Sequence, residues 1–246
     1  MNGCVNSEGE AGMKPLIILA LDGLGYNQAV EKMKQLEELM GWIKAAKIHD
    51  LWDECGPSVA QMLKDDTAVA QVMADLKIED IPVTAKKRVM AVCKSAADIV
   101  TVHIAGGIDM LYGALDGADG KIEVWGITAL TSLGEEEVHL TTGQPSKAVV
   151  LQRARNAKLV ELNGIVCSPQ ELAMLSKRRE LQGLPFYTPG VRSAGVKQDD
   201  QARVDTHENA FKNGASGIVV GREFSEAADP KAAIANIVAQ ISAVTN

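Results

Sequence analysis

Gln71-Val72-Met73-Ala74-Asp75-Leu76-Lys77-Ile78-Glu79-Asp80-Ile81-Pro82-Val83-Thr84 decides how the rest of the chain is read. It opens as a short apolar run, Gln71–Leu76, of the kind found in buried strands. It then becomes abruptly charged. Ile81-Pro82 keeps the following turn extended, and a helical pattern takes over at Val83–Ala97. An apolar strand that ends in charge and hands over to a helix is one βα unit. Asp75 and Lys77 are two apart, so an extended chain points both to one side, where they can pair. Asp80 lies three residues further, past the point where the strand must turn. Taken alone, a DxKxxD cluster reads more readily as an ordinary surface salt bridge ahead of a helix; its placement at a strand end, followed by IPxT, changes the balance.

Seven more apolar runs extend the pattern on either side: Pro15–Asp22, Ala45–Ile48, Asp98–His103, Ile122–Thr128, Gly164–Ser168, Leu184–Thr188 and Gly217–Val220. Helical stretches such as Ser146–Leu162 and Pro230–Val244 separate them, the latter started by Asp229-Pro230. Strands alternating with helices imply a parallel sheet. The runs are continuously apolar, as expected of strands covered on both faces. With 246 residues, the pattern predicts one (β/α)8 TIM barrel over residues 14–246, after a poorly ordered extension at 1–13. A doubly wound sheet would place a glycine-rich turn after its first strand. The turn here, Asp22-Gly23-Leu24-Gly25-Tyr26, lacks the third glycine. Leu133–Pro145 and Ser193–Arg203 read as long loops on the carboxyl-end face of the barrel, where long loops are often functional.

Composition narrows the function. A net charge of −7 argues against a broad nucleic-acid surface, but a few local Arg and Lys can still gather a small anion. The longest candidate for insertion, Pro15–Leu21, is too short to span a bilayer. The leader carries Glu8 and Glu10 and no basic residue, unlike a signal peptide. Cys4, Cys55, Cys93 and Cys167 are scattered, with no CxxC pair, which suits a reducing cytoplasm. No His/Cys cluster has metal-ligand spacing, so neither metal nor cofactor is expected.

In a barrel of this kind chemistry gathers at the carboxyl ends of the strands. Those ends read Asp22; Lys47 or Lys44; Asp75 with Lys77; His103; Thr131 with Ser132; Thr188-Pro189-Gly190-Val191-Arg192; and Gly221-Arg222. One such charge is ordinarily just solvated. Charges at most of the ends that face one mouth indicate a site. His103 is more often a packed imidazole than a catalyst and is left out of the catalytic set.

Asp75–Thr84, DLKIEDIPVT, resembles the DxKxxDIPxT signature of the orotidine 5′-monophosphate decarboxylase family. LALD at Leu19–Asp22, VHIAGG at Val102–Gly107, ALTS at Ala129–Ser132, TPGVR at Thr188–Arg192 and IVVGREF at Ile218–Phe224 resemble the family's first, fourth, fifth, seventh and eighth strand ends. The resemblance covers nearly the whole chain after residue 14. Glu79 departs from the His of many members and Val83 from their Asn. For the second-strand lysine, the spacing to Gly56-Pro57 is one residue short of the family's usual at Lys47 and two too long at Lys44. Lys47 is chosen, and Lys44 is read as a solvated side chain.

The resemblance implies an alternating array, Lys47–Asp75–Lys77–Asp80, acting on orotidine 5′-monophosphate to give UMP without a metal. It implies a ribose contact at Asp22, pyrimidine recognition at Thr131 and Ser132, and nucleotide contacts at Pro189, Arg192, Gly221 and Arg222. Gln201 matches a loop glutamine that bridges pyrimidine and phosphate. It further implies a homodimer in which Asp80 and Thr84 reach the neighbouring subunit's site. The length and polarity of Ser193–Arg203, with Gly195 and Gln201, predict a mobile loop that closes on the phosphate. Two other readings remain: a related barrel acting on sugar-acid phosphates with magnesium, and a catalytically silent nucleotide-binding protein.

Overall fold

The computed structural model describes residues 17–193 and 205–245. Eight parallel strands close into a barrel, each hydrogen-bonded to the next and the last to the first. They are β1 Ile17–Ala20, β2 Ile43–Ile48, β3 Val72–Ile78, β4 Ile99–His103, β5 Glu123–Ile127, β6 Gly164–Val166, β7 Phe186–Thr188 and β8 Gly217–Val220. The barrel is the architecture expected, with strand ends shifted by up to a few residues. The expected extension at 1–13 lies outside the described residues.

The strands show why they carry no polar alternation. Ile18 and Ala20 of β1 point into the barrel with Ala45, Met73, Ile127 and Val219, whereas Ile17 and Leu19 point outward into the layer shared with the helices. Both faces are dry, so both must be apolar. At the amino-terminal end of the barrel, Trp125 and Tyr187 stack with centroids 3.7 Å apart. These rings close the bottom of the barrel.

Helices Pro82–Val92 and Ile108–Ala118 pack unusually closely. A Cβ on Gly113 or Gly117 would sit 2.5 Å from the carbonyl oxygen of Pro82 or Lys86. Glycine at both places lets the two backbones touch and anchors the start of the helix that follows Asp80.

One expected loop is not a loop. Leu133–Pro145 contains the helix Glu135–Thr142. Its first turn holds Glu135, Glu136 and Glu137, and the Glu137 carboxylate accepts the Gly134 N–H at 2.9 Å. Acidic side chains there oppose the positive end of the helix dipole. Gly143, at φ 71°, ends the helix in a left-handed cap. The polarity that suggested a loop belongs to an exposed helix. Of Ser193–Arg203, only Ser193 lies within the described residues. Beside it, Val191–Arg192 pairs in parallel with Asp205–Thr206 as a two-stranded ribbon.

Candidate active site

A cavity of about 500 Å³ opens at the carboxyl ends of the strands. Its floor is charged. Lys47 Nζ lies 2.7 Å from both carboxylate oxygens of Asp22 and 3.3 Å from Asp75 Oδ2. Lys77 Nζ donates to the same Asp75 oxygen at 2.7 Å. Asp75 is therefore a carboxylate held between two ammonium groups, with its side chain only 9% exposed. Burial alone would raise its pKa, but Lys47 and then Lys77 outweigh burial, helped by hydrogen bonds from Lys77 and Thr101. The group is held at about 2. Lys47 answers in kind: burial would lower its pKa, but Asp75 and Asp22 hold it above the ordinary value.

The backbone at Lys77 departs from the extended chain assumed from the sequence. Lys77 adopts φ 45°, in the left-handed region that a residue with a Cβ seldom enters. The β3–β4 register shifts between Ala74 and Ile78. Asp75 and Lys77 do pair, but through a bulge and not through regular two-residue alternation.

Lys47 and Lys44 face opposite ends of the barrel. Lys47 is on the cavity floor. Lys44 lies over the Trp125 ring at 5.5 Å and pairs with Glu123 at 3.6 Å, its side chain 18% exposed. It is a packed cation at the barrel bottom, which corrects its reading as a merely solvated side chain.

Thr131 and Ser132 line the cavity from the turn after β5, and Pro189 and Arg192 line it from the segment after β7. Gly221 and Arg222 line the side formed after β8, where Arg222 begins a short helix to Ser225. Asp80 and Thr84 do not line it. Asp80 is exposed, and its Oδ1 accepts the neighbouring Ile81 N–H at 2.8 Å. Thr84 lies in the first turn of Pro82–Val92. Gln201 falls outside the described residues.

Several polar groups around the cavity escaped the sequence reading. Thr101, wholly buried, donates to Asp75 Oδ1 at 2.8 Å and accepts the Lys77 N–H at 2.9 Å. Its signal was a lone hydroxyl in the apolar run Ile99–Val102. His49 Nδ1 lies 2.8 Å from the Asp75 carbonyl oxygen, which can only accept, so that nitrogen carries the proton. Next to Arg222, Glu223 accepts hydrogen bonds from the Ser193 N–H and hydroxyl, and its Oε2 lies 3.0 Å from Nε2 of the fully buried His207. Burial would raise the Glu223 pKa, but bonding to His207 and Ser193 pulls it below the ordinary value. No short motif marks this hub, because its members are brought together only by the fold. Among the described residues, no three His, Cys, Asp or Glu side chains come together as metal ligands, and no helix is long and apolar enough to cross a membrane.

A closed (β/α)8 barrel with buried Lys47 and Asp75 and part-exposed Lys77 at the carboxyl ends of β2 and β3, and with two arginines on the rim after β7 and β8, defines a barrel enzyme built for a small anionic substrate. The sequence model described as "Orotidine 5′-phosphate decarboxylase / HUMPS family" matches residues 15–237, and the chain belongs to this family. An orotidine 5′-phosphate decarboxylase of Desulfosudis oleivorans is 35% identical, the match covering 93% of each chain. One from Halorhodospira halophila is 37% identical, with 93% of this chain and 97% of the relative covered. The crystal structure of orotidine 5′-phosphate decarboxylase from Lactobacillus acidophilus superposes with a TM-score of 0.76 at 28% identity, covering 93% of this chain and 99% of that one.

Proposed function

We propose that the protein decarboxylates orotidine 5′-monophosphate to UMP and CO2, as a carboxy-lyase of de novo pyrimidine biosynthesis in the cytoplasm. The observation that carries this reading is the Asp75 carboxylate, buried between Lys47 and Lys77 on the cavity floor. A substrate carboxylate brought beside Asp75 meets a charge that Lys47 and Lys77 keep ionised. Like charges in close contact are unfavourable, and loss of CO2 relieves them. The C–C bond breaks, and its electron pair stays on pyrimidine C6. The Lys77 ammonium stabilises that carbanion and then gives it a proton. Asp22 holds Lys47 and takes the ribose hydroxyl, Thr131 and Ser132 read the pyrimidine edge, and Pro189 packs beside the nucleotide. Arg192, Gly221 and Arg222 receive the phosphate, with Gln201 bridging it to the base. No metal enters this scheme: Asp75 already accepts from Lys47, Lys77 and Thr101, which occupy both of its oxygens.

Asp80 and Thr84 complete the site of a second subunit in a homodimer. This assignment is supported by the exposure of Asp80 beside an apolar surface. Ile81 is 66% exposed, and Val83 and Tyr112 exceed half exposure. A two-fold contact over such a patch exchanges the residues reciprocally.

The test is the loss of orotidine 5′-monophosphate absorbance with purified protein, with and without EDTA. Turnover unchanged by EDTA is the expected result. No turnover overturns the reading, and turnover abolished by the chelator overturns its metal-free mechanism. Mixing inactive Asp80→Ala with inactive Lys77→Ala protein tests the shared site. A mixed dimer gathers both defects in one site and neither in the other, so activity should return. If subunits exchange and none returns, Asp80 does not cross the interface.

A further inference from the structure

We propose that Thr101 of β4 is a positioning residue for the reaction: its hydroxyl fixes the Asp75 carboxylate and the Lys77 backbone together, so that the Lys77 ammonium is aimed into the cavity. The inference rests on the decarboxylase reading of the site and deepens it.

The register of β3 against β4 is the starting point. Met73 pairs with Ile99 and Ala74 with Val100; pairing resumes only at Ile78 with Val102. One residue of β4, Thr101, therefore stands opposite three of β3: Asp75, Leu76 and Lys77. The ladder cannot satisfy a bulge of that size with backbone groups alone. On its other side Thr101 keeps regular register with Trp125 of β5, so β4 is straight and β3 is the strand that bends.

Thr101 fills the gap with its side chain. The hydroxyl oxygen accepts the Lys77 N–H at 2.9 Å, and its proton goes to Asp75 Oδ1 at 2.8 Å. A hydroxyl has one proton to give, and here its direction is settled, because an ionised carboxylate can only accept. The other Asp75 oxygen receives the Lys77 ammonium. Backbone N–H, hydroxyl, carboxylate and ammonium thus form a closed ring that begins and ends on Lys77. The ring encloses the residue at φ 45°, a conformation that persists only where surroundings impose it. Thr101 has no exposed surface, so water cannot stand in for its hydroxyl.

Two alternatives share these contacts. A purely structural Thr101 would satisfy a buried N–H and affect stability alone. A purely steric one would act through its methyl group. Thr101→Val keeps the shape and removes the hydroxyl, whereas Thr101→Ser keeps the hydroxyl and removes the methyl. In Thr101→Val, kcat for orotidine 5′-monophosphate should fall about 10- to 100-fold with KM nearly unchanged, the scale of a small misplacement of a reacting group. The affinity ratio of 6-hydroxy-UMP to UMP should fall by a similar factor, because the anionic ring reads the placement of the Lys77 charge and UMP does not. Thr101→Ser should recover most of both losses. Should Thr101→Val not fold, Thr101→Cys carries the same test through a thiol of similar size and weaker hydrogen bonding. A folded Val or Cys variant with wild-type kcat and ratio overturns the proposal, as does a Ser variant as impaired as Val.

Amide exchange at Lys77 separates this failure from failure of the decarboxylase reading. The Lys77 N–H should exchange slowly in wild type and Thr101→Ser, and fast in Thr101→Val. Equal protection in all three overturns the positioning role whatever reaction the protein performs. Absent turnover in the wild type overturns only the reaction.

Discussion

The floor and the rim of the cavity are built by different means. On the floor, Lys47, Asp75, Lys77 and Thr101 belong to strands, and each charge already has its partner within 3.3 Å. On the rim, Arg192 and Arg222 follow the strands, and the nearby order comes from Glu223 binding Ser193 and His207. The floor is thus preorganised by Coulomb pairing around a buried carboxylate. The rim is held by a hydrogen-bonded hub whose members Ser193 and Glu223 each sit one residue from an arginine that lines the cavity. Charge that must be aimed at a transition state benefits from a rigid floor. Contacts that hold a non-reacting phosphate tolerate a more adaptable rim.

The largest expected effect breaks the floor. Lys77→Ala should lower kcat by at least about 10³-fold, because in the proposed mechanism it removes both the stabilising cation and the proton donor. The fold should survive, since Asp75 keeps Lys47 and Thr101. Circular dichroism and turnover of the same sample check this. Near-normal turnover in a folded variant would remove Lys77 from the reaction. Arg222→Ala should act on the rim alone and more mildly. A loss of about 10- to 100-fold in kcat/KM is expected for the nucleotide, the worth of one charged hydrogen bond. Orotidine, which lacks the phosphate, should react equally slowly with both proteins. An equal loss for both substrates would show that Arg222 does not act through phosphate.

The floor was far more legible in the sequence than the rim, and the reason is physical. A charge ending an apolar strand is conspicuous, because a buried strand does not otherwise tolerate it. Asp22, Asp75 and Lys77 could therefore be picked out, whereas Lys47 was separated from Lys44 only by the spacing of the family resemblance; the barrel order then brings the four together. What stayed hidden depends on backbone geometry or distant partners. The bulge at Lys77 leaves no residue signature, since a non-glycine residue at φ 45° is held there by tertiary contacts. Thr101 looked like a strand residue of good β propensity. Glu223 and His207 are 16 residues apart and reveal nothing until the barrel closes. The helix Glu135–Thr142 was hidden by its own polarity, because only Val138 within it is buried.

Acid should loosen the rim before the floor. Glu223 has a folded pKa below its ordinary 4.5, and Asp75 sits at about 2, below its ordinary 3.8. A depressed carboxyl contributes stability above its unfolded pKa and loses it as pH falls through the folded value. The Glu223 contribution should therefore begin to fade near pH 4.5, and that of Asp75 only near pH 3.8. Glu223→Gln should cost about 1 kcal/mol at neutral pH. Its deficit against wild type should shrink below pH 4.5 in urea titrations. A deficit that stays constant to pH 3 would mean that the Glu223 charge adds nothing to the hub.

The smallest effect concerns the lysine at the other end of β2, and it sharpens the contrast between strand ends. Lys44 Nζ lies 5.5 Å from the Trp125 centroid, 5.9 Å from that of Tyr187 and 3.6 Å from Glu123. Lys44→Met keeps an apolar stem over the rings and deletes the charge. The cation–π contact and the partly exposed ion pair are each worth less than about 1 kcal/mol, so their joint loss should be about 1 kcal/mol. Glu123 is not orphaned, since the Trp125 indole N–H still donates to it at 2.7 Å. The melting temperature should therefore fall by about 2–4 °C. Turnover should not change, because the stacked rings and the apolar barrel interior separate Lys44 from the cavity floor. Lys47→Met, three residues on, removes a partner from the buried Asp75 and should abolish turnover. A loss of kcat in Lys44→Met comparable to that in Lys47→Met would mean that the bottom of the barrel takes part in the chemistry, and the division between the two ends of the strand would fail.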